Sequence, residues 1–173
     1  MTAQNTRDVS GIEVVGGEIV ARQFAAVTDD LAPGAAKTGA LGSAEMVQTV
    51  AECLTDRPIA RLVVDPVMIS KHGDPLMPEQ GQTALEHHLL PHAGLVTPNR
   101  HEAEALTGQN VRGPDTMKEA ARRIHDMGAD NVLIKGSHLE GVVRDYLYEG
   151  TGYVEFGADK INSDRLHGSG CVY

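Results

Sequence analysis

Apolar residues recur at helical spacing in four segments of the chain, and short continuous apolar runs lie between them. Spacing of three to four residues is typical of a helix with one buried face, and it predicts helices over 17–31, 44–54, 79–90 and 114–128. Continuous runs are typical of parallel strands covered on both faces, and they predict strands over 35–39, 61–65, 94–97 and 131–134. Two further segments, 142–148 and 152–156, predict an antiparallel hairpin.

The amino-terminal third adds two expectations. Residues 2–10 are mostly polar and predict a loop. The first predicted helix carries an apolar stripe at helical spacing, and one face is therefore expected to pack on a sheet. This stripe consists of Ile19, Val20, Phe24, Val27 and Leu31.

Residues that cap helices mark several of the predicted boundaries. Ser43 precedes the second helix as an N-cap. Asn99 and Glu102 have the spacing of a capping box, which predicts a further helix starting at Arg100. Gly128 ends the last predicted helix as a C-cap.

Composition narrows the function classes. The 173 residues suit one domain, 1–173. A net charge of −9 with 3% aromatic residues argues against nucleic acid or an anionic membrane as a partner. Cys53 and Cys171 are the two cysteines, and their separation argues against a disulfide scaffold or a zinc site. Without a signal-like or membrane-spanning stretch, we expect a cytoplasmic protein.

Polar residues follow three of the predicted strands, where open α/β sheets place their ligands. Asp65, Asn99 with Glu102, and Lys135 occupy these positions. Each also has a structural interpretation: Asp65 precedes Pro66 as a turn residue, Asn99 and Glu102 cap a helix, and Lys135 is a solvated lysine. The residues alone leave both interpretations open.

The carboxy-terminal stretch 167–171 is the strongest candidate for chemistry. Gly168 and Gly170 flank Ser169, and such a turn exposes successive backbone N–H groups that bind anions, including a transferring phosphoryl group. Cys171 falls in the first turn of any helix that starts there, where thiolate is favoured over thiol. Taken alone, this stretch is also typical of a glycine-rich turn with an inert cysteine.

Together, these segments resemble the hydroxymethylpyrimidine/phosphomethylpyrimidine kinases, the thiamine-biosynthetic members of the ribokinase-like superfamily. The matching stretches, in order, are 2–6, Lys37-Thr38-Gly39, 64–68, Thr97-Pro98-Asn99 with Glu102, 135–138 and 167–171. The resemblance implies a ribokinase-like three-layer α/β/α fold with a mainly parallel central sheet, incomplete in this chain. It also implies ATP-dependent phosphorylation of 4-amino-5-hydroxymethyl-2-methylpyrimidine and of its monophosphate, with Mg²⁺.

The resemblance assigns roles to residues that match the family pattern. Cys171 is the base that deprotonates the substrate hydroxyl, and Gly168, Ser169 and Gly170 stabilise the transferring phosphoryl group. Gln4 and Val67 contact the pyrimidine. The nucleotide phosphates and magnesium are held by Asp65, Asn99, Glu102 and Lys135, with Asp65 and Glu102 acting on the metal directly or through water.

The chain departs from the family pattern, and these departures leave alternative functions open. Ala40 stands where the family usually has methionine, which leaves the pyrimidine pocket less filled. The resemblance also implies that segments are missing at both ends, so we expect this polypeptide alone to be poorly active. The alternatives are a pyridoxal-type kinase on the same fold and a non-catalytic fragment that binds a small molecule. Family relatives are commonly dimers, and a homodimer is expected here.

Overall fold

The structure is a computed structural model that describes residues 1–5, 9–69, 75–136 and 142–159. Its strands are β1 (Thr2–Gln4), β2 (Val9–Ile12), β3 (Ala36–Thr38), β4 (Leu62–Val64), β5 (Leu95–Val96), β6 (Val132–Ile134), β7 (Val142–Tyr148) and β8 (Tyr153–Asp159). Its α-helices are α1 (Gly17–Asp30), α2 (Ala44–Asp56), α3 (Glu79–Ala84), α4 (Arg100–Thr107) and α5 (Pro114–Asp126).

The central sheet has six strands in the order β3-β4-β5-β6-β7-β8. Strands β3 to β6 run parallel, whereas β7 and β8 are antiparallel to their neighbours. Each parallel step is connected through helical structure, as parallel pairing requires. The predicted α/β class with a mainly parallel sheet is confirmed, and so is the predicted hairpin.

The sheet has one deeply buried face. Alternate residues of the strands belong to a single core that also contains side chains of α2, α3, α4 and α5. These inward strand residues are Leu62, Val64, Val96, Val132, Ile134 and Tyr146.

On the opposite face, the intervening residues Val63, Leu95, Leu133 and Leu147 are only half-buried. The strands are predicted to be covered on both faces, and in the described residues the second face is covered only in part. Strand β3 is likewise an edge strand with an exposed Lys37, not a buried strand. Strand side chains alternate between faces, so a continuous apolar run does not show how well its second face is covered.

The amino terminus also differs from the prediction. Residues 2–10 are not simply a loop, because β1 and β2 pair antiparallel in a separate two-stranded sheet. Strands of three and four residues are too short to give a clear alternating pattern.

Helix α1 forms where the periodicity predicts it, but most of its apolar stripe is exposed, and only Phe24 of the stripe packs against the core. The helix packs against α2, and a Cβ atom on Gly17 would lie only 2.7 Å from Thr49 Oγ1, which shows how closely the two helices approach. Ile19, Val27 and Leu31 remain exposed. The spacing located the helix correctly and its packing surface incorrectly.

The helix predicted over 79–90 changes type part-way. After α3, residues Leu85–Leu89 form a π-helical turn and Leu90–His92 a 3₁₀ turn. Pro91 lies in the second turn and has no N–H with which to continue the α-helical ladder. Leu85, Leu89 and Leu90 are nevertheless fully buried in the core, because the altered turns keep their side chains directed inward.

Two isoleucines on helices give a matched test of where the core lies. Ile124 in α5 has no exposed surface, whereas Ile19 in α1 is 54% exposed. We expect Ile124→Ala to lower the free energy of unfolding by about 2–5 kcal/mol, because it leaves a cavity. Ile19→Ala should change it by less than about 0.5 kcal/mol. Urea denaturation followed by circular dichroism measures both, and equal losses would contradict the one-sided core.

Candidate active site

A buried carboxylate paired with two lysines lies where the parallel strands end. Asp65 follows β4 and is 5% exposed. Lys135, directly after β6, places Nζ 3.3 Å from Asp65 Oδ1, and Lys37 in β3 places Nζ 3.5 Å from Oδ2. A buried carboxylate requires such partners because desolvation without them is costly. The carboxylate is thus held by two cations that reach it from two other strands.

Strand pairing explains why residues so distant in sequence meet. The Thr97 N–H donates to Val64 O at 3.0 Å, and the Lys135 N–H donates to Pro98 O at 2.9 Å. Asn99 and Lys135 also form a parallel bridge beyond the named strands. The parallel ladder therefore continues past β5 and β6, and it brings the first residues of the following loops to one edge of the sheet.

Asn99 and Glu102 form the predicted capping box at the start of α4. The Glu102 N–H donates to Asn99 Oδ1 at 3.0 Å, and the Asn99 N–H donates to Glu102 Oε2 at 2.7 Å. This arrangement satisfies two helix N–H groups that otherwise lack partners. It also places the Glu102 carboxyl near Asp65 and Lys135.

Glu102 is 3% exposed, and its burial raises the pKa of the carboxyl from 4.5 to about 7. The hydrogen bond from Asn99 and the charge of Lys135 act in the opposite direction, while Asp65 adds to the increase. Both charges act on Glu102 because Lys135 and Asp65 lie near its carboxyl. A carboxyl with a pKa near 7 changes its charge at neutral pH unless a cation joins it.

The residues predicted to contact the pyrimidine are only partly tested by the fold. Val67 is half-buried, and its N–H donates to Asp65 O at 2.8 Å, so it lies in a tight turn directly after the buried carboxylate. Ala40 is exposed and lines a cavity of about 40 Å³ together with Met1 and Ile12. The backbone of Gln4 belongs to β1, but its side chain is not among those described.

Gly168, Ser169, Gly170 and Cys171 lie outside the described residues, as do Ser137 and His138. Their predicted role in binding and activating the phosphoryl group stays a prediction. Of the predicted site residues, the structure therefore brings together Asp65, Asn99, Glu102 and Lys135.

Two contributors at this edge were given no role from the sequence. Lys37 belongs to the matched Lys37-Thr38-Gly39 stretch, but the sequence does not show that it pairs with Asp65. Asp145, in β7, is 8% exposed and accepts a hydrogen bond from the Gly136 N–H at 2.8 Å. The signal in the sequence is an aspartate within a mostly apolar predicted strand, since a carboxylate in such a strand needs a partner wherever the strand is buried.

A separate cleft lies away from this edge of the sheet. It measures about 780 Å³, lies between α2 and the π-helical turn, and includes Glu52, Asp56, His87, His88 and His92 among its lining residues. No group of three or more His, Cys, Asp or Glu residues with metal-binding geometry occurs within the described ranges. None of the residues that line this cleft belongs to the charged cluster at the strand ends.

Comparison with known proteins shows the family to which the chain belongs. The family model described as phosphomethylpyrimidine kinase matches residues 1–173. The chain belongs to the phosphomethylpyrimidine kinase family.

One relative is the bifunctional thiamine biosynthesis protein of Geobacter sulfurreducens, which is 45% identical over 174 residues. The match covers all of this chain and 36% of the relative. The hydroxymethylpyrimidine/phosphomethylpyrimidine kinase of Bacillus subtilis is 38% identical and is covered over 65% of its length. The chain thus spans less than two thirds of these curated relatives.

Solved structures show the same ribokinase-like fold. The phosphomethylpyrimidine kinase of Clostridium difficile superposes with a TM-score of 0.83 at 36% identity, over 92% of this chain and 69% of that one. The pyridoxal kinase of Bacillus subtilis, solved as an ADP complex, gives 0.83 at 28% identity, over 98% of this chain and 64% of that one.

The raised pKa of Glu102 predicts a pH-dependent stability. Between pH 4.5 and about 7 the folded chain binds more protons at Glu102 than the unfolded chain does, so this group lowers the free energy of unfolding as pH rises through that window. Glu102→Gln keeps an oxygen acceptor for the Asn99 N–H and removes the titration. We expect the stability of this variant relative to the unaltered chain to rise by about 1–3 kcal/mol between pH 4.5 and pH 8.

Urea denaturation at both pH values, without divalent cations, measures this change. Glu79→Gln, at an exposed position in the first turn of α3, is the matched control. A pH-independent difference for Glu102→Gln would contradict the raised pKa.

Proposed function

We propose that this chain forms part of an ATP-dependent kinase that phosphorylates 4-amino-5-hydroxymethyl-2-methylpyrimidine, and then its monophosphate, in thiamine diphosphate biosynthesis. The observation that supports the proposal best is the buried Asp65 between Lys37 and Lys135, beside Glu102. Such a set combines cations for phosphate oxygens with carboxylates for a metal ion. Family membership supplies the reaction class.

The residues at the strand ends fit the phosphates of ATP and an accompanying magnesium ion. Mg²⁺ prefers oxygen ligands and usually keeps several of its waters, and Asp65, Asn99 and Glu102 offer oxygens of that kind. A magnesium ion held by these residues would neutralise charge on the phosphates. Lys135 and Lys37 add positive charge that can balance phosphate oxygens, as lysine does in many phosphate sites. ATP use is further supported by the pyridoxal kinases of Bacillus subtilis and Staphylococcus aureus, solved with ADP and AMP-PCP.

In the proposed reaction, Cys171 as thiolate takes the proton from the hydroxymethyl group as its oxygen attacks the γ-phosphorus. Backbone N–H groups of Gly168, Ser169 and Gly170 stabilise the transferring phosphoryl group. Gln4 and Val67 orient the pyrimidine. Phosphoryl transfer depends mainly on positioning and electrostatics, so the amides and Lys135 should contribute at least as much as the base.

A homodimer and a cytoplasmic location belong to the same proposal. In the part of the chain that the structure describes, no helix is both long and apolar enough to cross a membrane.

Cysteine substitutions test the role of Cys171. We expect Cys171→Ala to reduce kcat for pyrimidine phosphorylation by about 10²–10⁴-fold, the range of general-base catalysis. Cys53→Ala is the control, because Cys53 lies in α2, where burial raises the pKa of its thiol and keeps it protonated. Coupled detection of ADP together with mass spectrometry of the phosphorylated pyrimidine measures the reaction. Equal activity of the two variants would exclude Cys171 as the base.

A pyridoxal-type kinase is the second candidate, because several solved pyridoxal kinases superpose on this chain as well as the pyrimidine kinase does. We expect kcat/KM for the aminopyrimidine to exceed that for pyridoxal by at least about tenfold, since each well-made polar contact in a substrate pocket is worth that much or more. The same assay with both alcohols measures it. A preference for pyridoxal would overturn the thiamine assignment, and absence of turnover with either would favour a non-catalytic fragment.

A further inference from the structure

Asp145 is a buried carboxylate at the same sheet edge for which the proposed reaction has no use. Its Oδ1 accepts a hydrogen bond of 2.8 Å from the N–H of Gly136, the residue directly after Lys135. Removing the acceptor of a buried hydrogen bond leaves the N–H without a partner, which is costly. The hairpin strand β7 therefore holds the backbone immediately beyond the lysine that pairs with Asp65.

The backbone of Lys135 is also held on its other side. Its own N–H donates to Pro98 O at 2.9 Å, and the residue pairs with Asn99 in a parallel bridge. Hydrogen bonds to Pro98 and to Asp145 therefore hold the backbone at Lys135 and at the next residue. With the backbone fixed on both sides, the position of Nζ depends on the side-chain rotamer alone.

Gly136 makes this contact possible because it has no side chain. A Cβ atom at this position would lie 1.8 Å from the carbonyl oxygen of Arg144 and 2.9 Å from Met117 Cε. Steric space, not an unusual backbone conformation, requires glycine here. The end of β6 therefore lies directly against the backbone of β7, close enough for Asp145 to reach the Gly136 N–H.

The pairing of the two strands also places both charges on one face of the sheet. Ile134 is paired with Tyr146, and both side chains are buried in the core. Because strand side chains alternate, the adjacent residues Lys135 and Asp145 share the opposite face.

We propose that Asp145 is a positioning residue for Lys135: by accepting the Gly136 N–H, it fixes the backbone from which the lysine reaches Asp65 and the nucleotide phosphates. The inference rests on the proposed function only in assigning Lys135 to the phosphates. The hydrogen bond acts through its acceptor oxygen, so the role does not require the negative charge.

Hydrogen exchange tests the backbone contact without any ligand. The exchange rate of the Gly136 amide, measured by NMR on the full chain, should rise at least about tenfold in Asp145→Ala, because a buried hydrogen bond is lost. Asp145→Asn keeps an acceptor oxygen and should stay within about threefold of the unaltered chain. Glu149→Ala removes an exposed carboxylate from the same hairpin and should change nothing. An unchanged rate in Asp145→Ala would overturn the inference.

Nucleotide affinity tests whether the contact acts through Lys135. We expect Asp145→Ala to weaken binding of magnesium-ATP, measured by calorimetry, by about tenfold, and Asp145→Asn by less than about threefold. In a Lys135→Met background, Asp145→Ala should change affinity by less than about twofold, because the side chain that it positions is absent. A purely structural role predicts the same loss in both backgrounds and would overturn the proposal.

Two further arms keep the test decisive. If Asp145→Ala does not fold, Asp145→Glu replaces it, since the longer side chain keeps the charge but displaces the acceptor oxygen and should weaken ATP binding only when Lys135 is present. If Asp145→Asn is as impaired as Asp145→Ala, the acceptor role is wrong. If the unaltered chain does not bind ATP, the proposed function fails, and the Gly136 exchange rate still decides whether Asp145 holds the backbone.

Discussion

The pairing of the Asp65 carboxylate with two lysines is the interaction around which the carboxyl edge of this sheet is organised. A carboxylate that is 5% exposed has lost most of its hydration and needs compensating charge. Lys37 and Lys135 provide it from strands on either side. Lys135 is buried together with Asp65, and removing one partner of a buried pair typically costs about 3–5 kcal/mol. Solvent screens the pair that the exposed Lys37 forms with Asp65, so this pair contributes less. The relative positions of β4 and β6 are therefore tied to this cluster as well as to the apolar core.

The apolar core and the charged cluster use opposite faces of the same strands. Val64 and Ile134 point into the helical layer, and the next residues along the chain, Asp65 and Lys135, point the other way because strand side chains alternate. A one-residue slip in register would bury both charges among leucines and expose the core residues. The packing of the core therefore also fixes the position of the charges.

The raised pKa of Glu102 also follows from close packing at this edge of the sheet. The carboxyl is buried because it completes the capping box of α4 with Asn99, and its burial raises its pKa to about 7. A cation brought in with nucleotide phosphates would favour its ionised form. A helix cap thus places an acidic group with adjustable charge beside Asp65 and Lys135, which suits a site that binds and releases a metal–phosphate complex.

The sequence by itself determined the elements that depend on neighbouring residues. It predicted α2 with its Ser43 cap, the capping box at Asn99 and Glu102, α5, and the hairpin of β7 and β8, because caps and periodicity act within a few residues. The resemblance, carried by motifs such as Lys37-Thr38-Gly39 and Thr97-Pro98-Asn99, also identified Asp65, Glu102 and Lys135 as members of one site. Only the tertiary structure decided which faces are covered: Ile19 and Leu31 are exposed despite their helical spacing, and Leu133 is half-buried within an apolar run. It alone joined Asp145 to Gly136 and Lys37 to Asp65, because contacts between separate strands depend on register and packing that no local pattern encodes.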